Sequence, residues 1–366
     1  MKAGIYFHIP YCVRKCEYCD FYSVSSVTDQ SMYFEAVKQE MKGYLGKQIP
    51  VDSVFIGGGT PSVADAGEIV GLLDEVRKVF SLSSDTEITI ELNPRTFNKE
   101  KLLMYREAGI NRISMGLQSA NDEELKRLGR IHTAQEFLAS YRLLLETGFS
   151  NINTDIMYGL PDSDEKKLEE TLSFLLKLDC THISAYALTL AEDSSLYQKG
   201  YTFPDDDEVF RQYQLIYETL SQYRHYEISN FVKQGKEPCR HNLKYWKREP
   251  YLGFGAAAHS FYQEKRWSNP ADIQAYITAV KSGKAPWDLE NISQSEALFE
   301  QLMLSFRLDE GIVVSDFPDG YFTPYQKRLE QYLSMGYLIK TERGYRLSED
   351  GFFVSNSIIS SFLSEN

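Results

Sequence analysis

Short runs of β-branched and apolar residues alternate, along the first half of the chain, with longer segments whose apolar positions follow a helical period. The short runs are typical of strands and lie at Ile5–Ile9, Ser53–Ile56, Glu87–Glu91, Arg112–Met115, Asn151–Asp155 and His182–Tyr186. The longer segments predict helices at Ser31–Leu45, Ala66–Val79, Leu125–Arg127, Glu136–Glu146 and Lys166–Leu178. Gly109 and Gly148 stand where helix C-terminal caps belong.

A strand followed repeatedly by a helix implies a parallel sheet with right-handed crossovers. Six such units are fewer than the eight that close a (β/α)8 barrel. The sequence therefore predicts an α/β fold in which residues 1–225 form an open, curved, six-stranded parallel partial barrel. We expect its ligands at the C-terminal ends of the strands.

The pattern changes after Thr202. A long polar helix is predicted at Asp205–Arg224, and residues 226–290 are interpreted as a loop-rich extension and a plausible site. Residues 291–366 predict a small α+β, winged-helix-like domain with helices at Glu296–Phe306 and Tyr325–Met335 and a β pair around Tyr337–Leu347. Residues 290–366 contain 12 acidic and 6 basic residues, which favours a lid over the barrel rather than a DNA-binding module.

Composition narrows the class of protein. The chain has 366 residues, of which 43% are hydrophobic and 25% charged, as in soluble globular proteins. Its net charge of −13 opposes nucleic-acid binding. Because no run is long and apolar enough to span a bilayer and Met1–Pro10 lacks signal-peptide features, we expect a cytoplasmic protein. Thiols stay reduced there, so clustered cysteines indicate metal ligation or redox chemistry.

Three of the five cysteines, Cys12, Cys16 and Cys19, follow the first predicted strand as Cys-x3-Cys-x2-Cys. Three thiolates on a short loop suit a [4Fe–4S] cluster and leave one iron free for a small chelating molecule. S-adenosylmethionine (SAM) offers a suitable amino and carboxylate pair. The alternatives are three buried cysteines on one helix face and a structural zinc site completed by Asp20 or His8.

A glycine-rich turn, Gly57-Gly58-Gly59-Thr60-Pro61, follows the second predicted strand, and Glu91-Leu92-Asn93-Pro94 follows the third. Absent Cβ atoms in such a turn let peptide groups approach a ligand closely. With the cysteine loop, these segments resemble the radical SAM family that contains oxygen-independent coproporphyrinogen III dehydrogenases and heme chaperones. The resemblance extends over nearly the whole chain.

The resemblance implies a set of SAM contacts in this sequence. The glycine turn meets the methionine amino group, Glu91 holds the ribose, Arg130 grips the carboxylate, Tyr6 borders the cluster and Ala185 the adenine. The full set implied by the resemblance is Tyr6, Gly58, Gly59, Thr60, Glu91, Gln118, Arg130, Asp155 and Ala185. From the residues alone, a surface salt bridge for Arg130 and a core role for Tyr6 remain alternatives.

Two features separate the branches of this family. Dehydrogenases that resemble this chain carry a further cysteine two positions beyond the third and a longer N-terminal extension, whereas here Phe21 takes that position and eleven residues precede Cys12. The segment His-Asn-Leu-Lys-Tyr-Trp resembles the motif of the heme chaperone branch, which implies heme contacts at His241, Asn242, Tyr245 and Trp246. The alternative is a loop cluster whose side chains satisfy their own backbone.

The sequence therefore predicts a heme chaperone that binds heme, a [4Fe–4S] cluster and SAM, and delivers heme to membrane-bound respiratory enzymes. The first alternative is an oxygen-independent coproporphyrinogen III dehydrogenase. A nucleic-acid-binding regulator is a third class, and we expect no such binding because of the charge. Whether SAM is cleaved, whether the chain touches a membrane peripherally and whether it forms a homodimer stay open at this point.

Overall fold

The computed structural model describes residues 1–25, 30–190, 195–284 and 287–362. Six parallel strands form the centre of the fold, in the spatial order of the sequence. They are β1 (Ala3–Ile9), β2 (Pro50–Gly58), β3 (Ser81–Leu92), β4 (Arg112–Gln118), β5 (Ile152–Tyr158) and β6 (His182–Ala187). The predicted open partial barrel is confirmed, because β1 and β6 pair with other strands and not with each other.

The helices that connect these strands are α1 (Gln30–Lys42), α2 (Ala66–Val79), α3 (Lys99–Glu107), α4 (Asp122–Arg127), α5 (Ala134–Glu146) and α6 (Glu165–Leu176). The bounds predicted for α2 are confirmed, and Gly109 and Gly148 follow α3 and α5 with the positive φ angles of +89° and +86° expected of C-terminal caps. Helix α3 is not predicted by the apolar pattern, because it buries only Leu102 and Tyr105. Its N-cap, Asn98, accepts from Lys101 N and was the available signal.

Residues beyond the barrel extend the same sheet at both edges. The elements are α7 (Asp206–Thr219), β7 (Tyr223–Glu227), β8 (Asn230–Lys233), α8 (Arg240–Trp246), β9 (Tyr251–Phe254), β10 (His259–Tyr262), β11 (Lys265–Ser268), α9 (Ile273–Ser282) and β12 (Trp287–Asn291). In the described residues β8 pairs with β6 and β9 with β1, which gives a twelve-stranded sheet. The prediction that this span is loop-rich is wrong. Its strands of four or five residues are too short to show an alternating pattern, and existing sheet edges supply their partners.

The C-terminal domain contains α10 (Gln294–Ser305), β13 (Ile312–Val313), α11 (Gln326–Ser334), β14 (Leu338–Lys340), β15 (Gly344–Leu347), α12 (Glu349–Phe353) and α13 (Ser355–Ser361). The two predicted helices and the β pair are confirmed, and β13 adds a third antiparallel strand. Phe353 packs on Phe210 of α7 with ring centroids 4.9 Å apart, and the domain shares one apolar core with the barrel. Among the described residues, no helix has the length and apolarity needed to cross a membrane.

A buried carboxyl group joins α1 to the extended part of the sheet. Glu40 accepts from Tyr276 Oη at 2.6 Å, from Asn269 Nδ2 at 2.8 Å and from Gly255 N at 3.2 Å. Burial raises the pKa of Glu40 to about 7, although these donors oppose the shift. The folded protein therefore keeps a proton on Glu40 at a pH where the unfolded chain has lost it.

We expect Glu40→Gln to flatten the pH dependence of stability. A carboxyl group whose pKa is raised in the folded state contributes stability below pH 4.5, and that contribution is lost as the pH rises through about 7. Over that window the free energy of unfolding should fall by roughly 2–3 kcal/mol less in Glu40→Gln than in the wild-type protein. Urea unfolding at pH 5 and pH 8 measures the free energy of unfolding of both proteins. An equal change of this free energy between the two pH values in both proteins would contradict the prediction.

Candidate functional site

A cavity of about 580 Å³ opens at the C-terminal ends of the six parallel strands. The three clustered cysteines and most of the predicted SAM contacts lie around it. The predicted residues that line it are Cys12, Cys16, Cys19, Gly58, Gly59, Thr60, Glu91, Gln118, Arg130, Asp155 and Asn242. Tyr6, His241 and Tyr245 instead line a neighbouring chamber of about 260 Å³, and neither space is lined by Ala185 or Trp246.

The cysteine loop is fixed by backbone hydrogen bonds at both ends. Cys12 N donates to Val24 O at 3.0 Å, and Cys19 N donates to Cys16 O at 3.2 Å. Cys12 is buried and the other two thiols are half-buried, all three unpaired with any other cysteine. Burial and the neighbouring sulfurs raise the pKa of the Cys19 thiol. Within residues 1–25, 30–190, 195–284 and 287–362, no three His, Cys, Asp or Glu side chains are grouped tightly enough to hold a single metal ion.

The glycine turn packs directly against the cysteine loop. Gly59 N donates to Ile9 O at 2.9 Å and Thr60 N to Tyr11 O at 2.8 Å, so the turn continues the pairing of β1 and β2. A Cβ on Gly59 would lie 2.9 Å from Tyr11 O, 3.0 Å from Ile9 O and 3.1 Å from Cys12 Sγ. Gly58 has φ of +110°, a backbone conformation that other residues rarely adopt. The glycines are therefore required by the cysteine loop itself, whatever the cavity binds.

We expect Gly59→Ala to destabilise the folded protein by about 2 kcal/mol, because the added methyl group meets two backbone carbonyls that cannot rotate away. Gly71→Ala is the matched control. Its Cβ would meet only the flexible end of Lys38, at 3.3 Å, and alanine favours the surrounding helix α2. Urea unfolding should show a loss of stability in Gly59→Ala and none in Gly71→Ala. Similar unfolding midpoints in the two variants would contradict the steric argument.

Arg130 connects two of the cysteines through a continuous network. Its Nη1 lies 3.7 Å from Cys16 Sγ, and its Nη2 donates to Asn93 Oδ1 at 2.6 Å and to Gly116 O at 3.0 Å. Asn93 Nδ2 donates to Thr60 Oγ1 at 2.8 Å, and Thr60 Oγ1 lies 3.5 Å from Cys12 Sγ. Asn93 had no role in the sequence analysis, although it stands two residues after Glu91 at the same strand end. Arg130 Nε is buried without a partner among the described residues.

Gln118 is held in a strained backbone conformation at the end of β4. Its φ is +69°, and the pairing of β4 with β5 shifts register between Gly116 and Gln118. A Cβ on Gly116 would lie 2.6 Å from Gln118 Nε2 and 3.0 Å from Arg130 Nη2, so any larger residue there would displace the ends of both side chains. The bulge re-aims Gln118 into the cavity at the edge where ligands of parallel sheets bind.

Two carboxyl groups form the inner wall of the cavity. Glu91 Oε2 accepts from Gly58 N at 3.2 Å, and burial, with Asp155 nearby, raises the pKa of Glu91 to about 8. Burial also raises the pKa of Asp155, and Ser184, Arg112 and Asn153 oppose that shift. Carboxyl groups with raised pKa values in a cleft are typical of ligand sites, and a hydroxyl-rich or cationic ligand would match them.

The segment His241–Trp246 is a helix inside the barrel and not a surface loop. Glu87 Oε2 and Oε1 accept from the first amides of α8, Arg240 N at 3.0 Å and His241 N at 3.1 Å. His241 is 1% exposed; its Nδ1 lies 3.0 Å from Ser53 Oγ and its Nε2 2.9 Å from Tyr245 Oη. Burial lowers the pKa of His241 to about 3. Both ring nitrogens are engaged, so ligation of an iron by His241 requires one of these bonds to break.

Asn242 is the residue of α8 that lines the main cavity. It also lines the neighbouring chamber, which shares Phe21, Phe55, Gly58 and Glu91 with the cavity. The side chain of Phe21 is 66% exposed at the rim of both spaces. The sequence did not predict that Asn242 lies on a helix, because this segment was interpreted as a loop.

Comparisons with family models and with known proteins point to the same family. The radical SAM superfamily matches residues 6–175, and the HemN C-terminal domain matches residues 292–354. The chain is 33% identical to the heme chaperone HemW of Bacillus subtilis over 100% of both chains, and 33% identical to that of Escherichia coli over 99% of this chain and 98% of the relative.

The fold is also similar to a solved structure. Coproporphyrinogen III oxidase (HemN) from Escherichia coli, described as a radical SAM enzyme, superposes with a TM-score of 0.85 at 22% identity, over 100% of this chain and 91% of that chain. This likeness supports the fold, while the closer sequence similarity lies with the heme chaperones. The chain therefore belongs to the heme chaperone HemW family of the radical SAM superfamily.

Proposed function

We propose that this protein binds a [4Fe–4S] cluster, SAM and heme, and that it transfers the heme to heme-requiring respiratory enzymes. The observation that carries the proposal is the convergence of three unpaired thiols, the glycine turn and the inner carboxyl groups on one cavity of about 580 Å³. Full-length similarity to heme chaperones supports the choice of cargo.

The donor set fits an iron–sulfur cluster with one open iron. Cys12, Cys16 and Cys19 supply three soft ligands, and the Arg130 guanidinium beside Cys16 offsets the negative charge that a thiolate-bound cluster carries. Within the described residues no fourth cysteine lines this cavity. A cluster held here supplies one-electron chemistry.

The remaining residues of the cavity fit SAM. In this proposal the glycine turn receives the methionine amino group, the unpartnered Nε edge of Arg130 faces the carboxylate, and Glu91 accepts from ribose hydroxyls. Gln118 and Asp155 hold the adenosyl part from β4 and β5. Tyr6 lines the neighbouring chamber and Ala185 of β6 is buried, so neither lines the cavity itself.

Heme is assigned to the side of the cavity formed by α8 and the cysteine loop. Asn242 and the exposed ring of Phe21 line the cavity on this side, and His241 and Tyr245 line the neighbouring chamber. Trp246 lies on the same helix but lines neither space. Aromatic faces suit a planar macrocycle. His241 becomes an iron ligand only after it releases Ser53 or Tyr245.

We expect hemin to form a stoichiometric complex with the anaerobically purified protein, seen as a Soret band that saturates at about one equivalent. His241→Ala should shift or abolish that band, because it removes the imidazole proposed to bind iron. His259→Ala, at an exposed histidine outside α8, is the matched control. Failure to saturate would contradict heme binding, and an unchanged band in His241→Ala would remove His241 as the ligand.

The alternative function, oxidative decarboxylation of coproporphyrinogen III, is favoured by the structural likeness to HemN. Against it stands Phe21, which lines the cavity at the position where related dehydrogenases are expected to carry a further cysteine. Formation of vinyl product by the reconstituted protein with coproporphyrinogen III would establish the dehydrogenase instead.

The proposal also covers cellular localisation and binding partners. We propose a cytoplasmic protein that meets its acceptors by peripheral contact at the membrane, as a monomer or a homodimer. Nucleic acid is not among the proposed partners, because the net charge of −13 opposes phosphate binding.

A further inference from the structure

A row of short polar side chains lies on the inner face of the barrel, deeper than Asp155. Asn153, Ser184 and Asn230 belong to β5, β6 and β8, and they are between 1% and 5% exposed. Barrel interiors at this depth are usually filled by Val, Ile and Leu. A buried polar layer is costly unless each group finds a partner, so its hydrogen bonds indicate its purpose.

The hydrogen bonds of this row lead outward from Asn153, to Asp155 on one side and through Ser184 and Asn230 to Glu227 on the other. Asn153 Nδ2 lies 2.7 Å from Asp155 Oδ1, 2.8 Å from Ser184 Oγ and 3.0 Å from Ser114 Oγ. Its Oδ1 is buried without a partner among the described residues, so the amide is held through its nitrogen alone. Ser184 Oγ donates to Asn230 Oδ1 at 2.7 Å, and Asn230 Nδ2 donates to Glu227 Oε1. An amide nitrogen can only donate, so the carboxylate at each end of the row fixes which way its neighbouring amide points.

Glu227 is anchored outside the cavity. Its side chain accepts from Ser229 N at 3.2 Å and from Trp246 at the end of α8, and Arg307 of the C-terminal domain stands nearby as a favourable charge. The backbone on either side is tied to the same domain, since Ile228 N donates to Arg307 O and Asp309 N to Tyr226 O. The row therefore extends from the cavity wall to the segment of the C-terminal domain that contains Arg307.

We propose that Asn153 is a positioning residue for Asp155, and that Ser184, Asn230 and Glu227 hold Asn153 in the orientation that this requires. The inference rests on the proposed SAM site, to which Asp155 belongs. It assigns a role to Asn153, and it explains why Trp246, which lines neither space, is placed beside Glu227. Held by Asn153 at Oδ1 and by Ser114 at Oδ2, the carboxyl group of Asp155 stays in place on the cavity wall as an acceptor for a ligand.

The pKa of Asp155 can be followed through the pH dependence of SAM binding. This pH dependence would not change if Asn153 had only a structural role. The titratable and charged groups near its carboxyl are Arg112, Glu91, Tyr186, Arg130 and Tyr18, and its hydrogen-bond partners besides Asn153 are Ser114 and Ser184. Loss of the Asn153 donor leaves these groups unchanged and disfavours the charged form of Asp155, which raises its pKa. SAM binding should then require a higher pH.

The test uses full-length, anaerobically reconstituted protein and measures SAM affinity by equilibrium dialysis between pH 6 and pH 9. We expect Asn153→Leu, of similar size, to weaken SAM binding about tenfold at pH 7, as for loss of one hydrogen bond to a charged group, and to shift the binding profile to higher pH. Thr154→Val is the matched control, since this buried neighbour on β5 contacts Cys180 on the opposite face.

Two variants at Glu227 test the row at a distance from the cavity, and they do so even where Asn153→Leu fails to fold. Glu227→Leu should weaken SAM binding about threefold, whereas Glu227→Gln, which keeps an acceptor for Asn230, should retain wild-type affinity. Equal affinity and an equal pH profile in Asn153→Leu and Thr154→Val would overturn the positioning role. No SAM binding by the wild-type protein would instead overturn the proposed function.

Discussion

Replacement of any one of Cys12, Cys16 and Cys19 by serine should abolish the [4Fe–4S] cluster. The three thiols line one cavity and each is proposed to hold one iron, so removal of one leaves two soft ligands on a loop that needs three. After anaerobic reconstitution, we expect about four irons per wild-type chain and close to none per variant. Iron and sulfide analysis and electron paramagnetic resonance of the reduced protein measure the loss.

Cys180→Ala and Cys239→Ala are the matched controls. Both cysteines are fully buried, Cys180 against Thr154 and Cys239 against Glu87, and neither lines the cavity. They should reconstitute as the wild-type protein does, with a small loss of stability. Full cluster content in a Cys16→Ser protein, or uptake of zinc in place of iron and sulfide by the wild-type protein, would contradict the proposed ligand set.

The barrel could be predicted from the sequence because its strands are buried and its helices are amphipathic. Runs such as Asn151–Asp155 stand between helices with clear periods, and the repeated strand–helix order determines a parallel sheet. The position of the cysteine loop and of the glycine turn follows from that order, since both come directly after a strand. Their meeting at one edge of the sheet is a consequence of parallel topology.

The elements that were not predicted from the sequence depend on partners that are distant in the chain. The strands β8 and β9 have four residues each and depend on the edges of β6 and β1 for their hydrogen bonds. Helix α8 has seven residues and is begun by a carboxylate from β3, Glu87, which is distant in sequence. No local pattern reports such contacts. For the same reason the burial of His241 and the network through Asn93 became visible only in the structure.

The helix that carries the His-Asn-Leu-Lys-Tyr-Trp segment is held in the barrel by a buried cation. Lys244 is 1% exposed, and its Nζ lies 2.8 Å from Asp52 Oδ1, 3.0 Å from Glu249 Oε2 and 3.1 Å from Lys2 O. Its stem packs on β1, where a Cβ on Gly4 would lie 2.9 Å from Lys244 Cδ. One side chain thus ties α8 to β1 and β2.

We expect Lys244→Ala to lower the free energy of unfolding by about 3 kcal/mol, because it leaves two carboxylates without their partner and a void where the stem was. Lys244→Met keeps the packing and should cost about half as much. Lys247→Ala, at the residue directly after the helix, removes an exposed pair with Glu310 and should cost less than about 1 kcal/mol. Because α8 also carries Asn242 to the cavity, Lys244→Ala should weaken hemin and SAM binding even under conditions in which the variant is fully folded. Urea unfolding and ligand titration of the three variants measure both effects, and a Lys244→Ala protein as stable as Lys247→Ala would show that α8 is held by its apolar contacts alone.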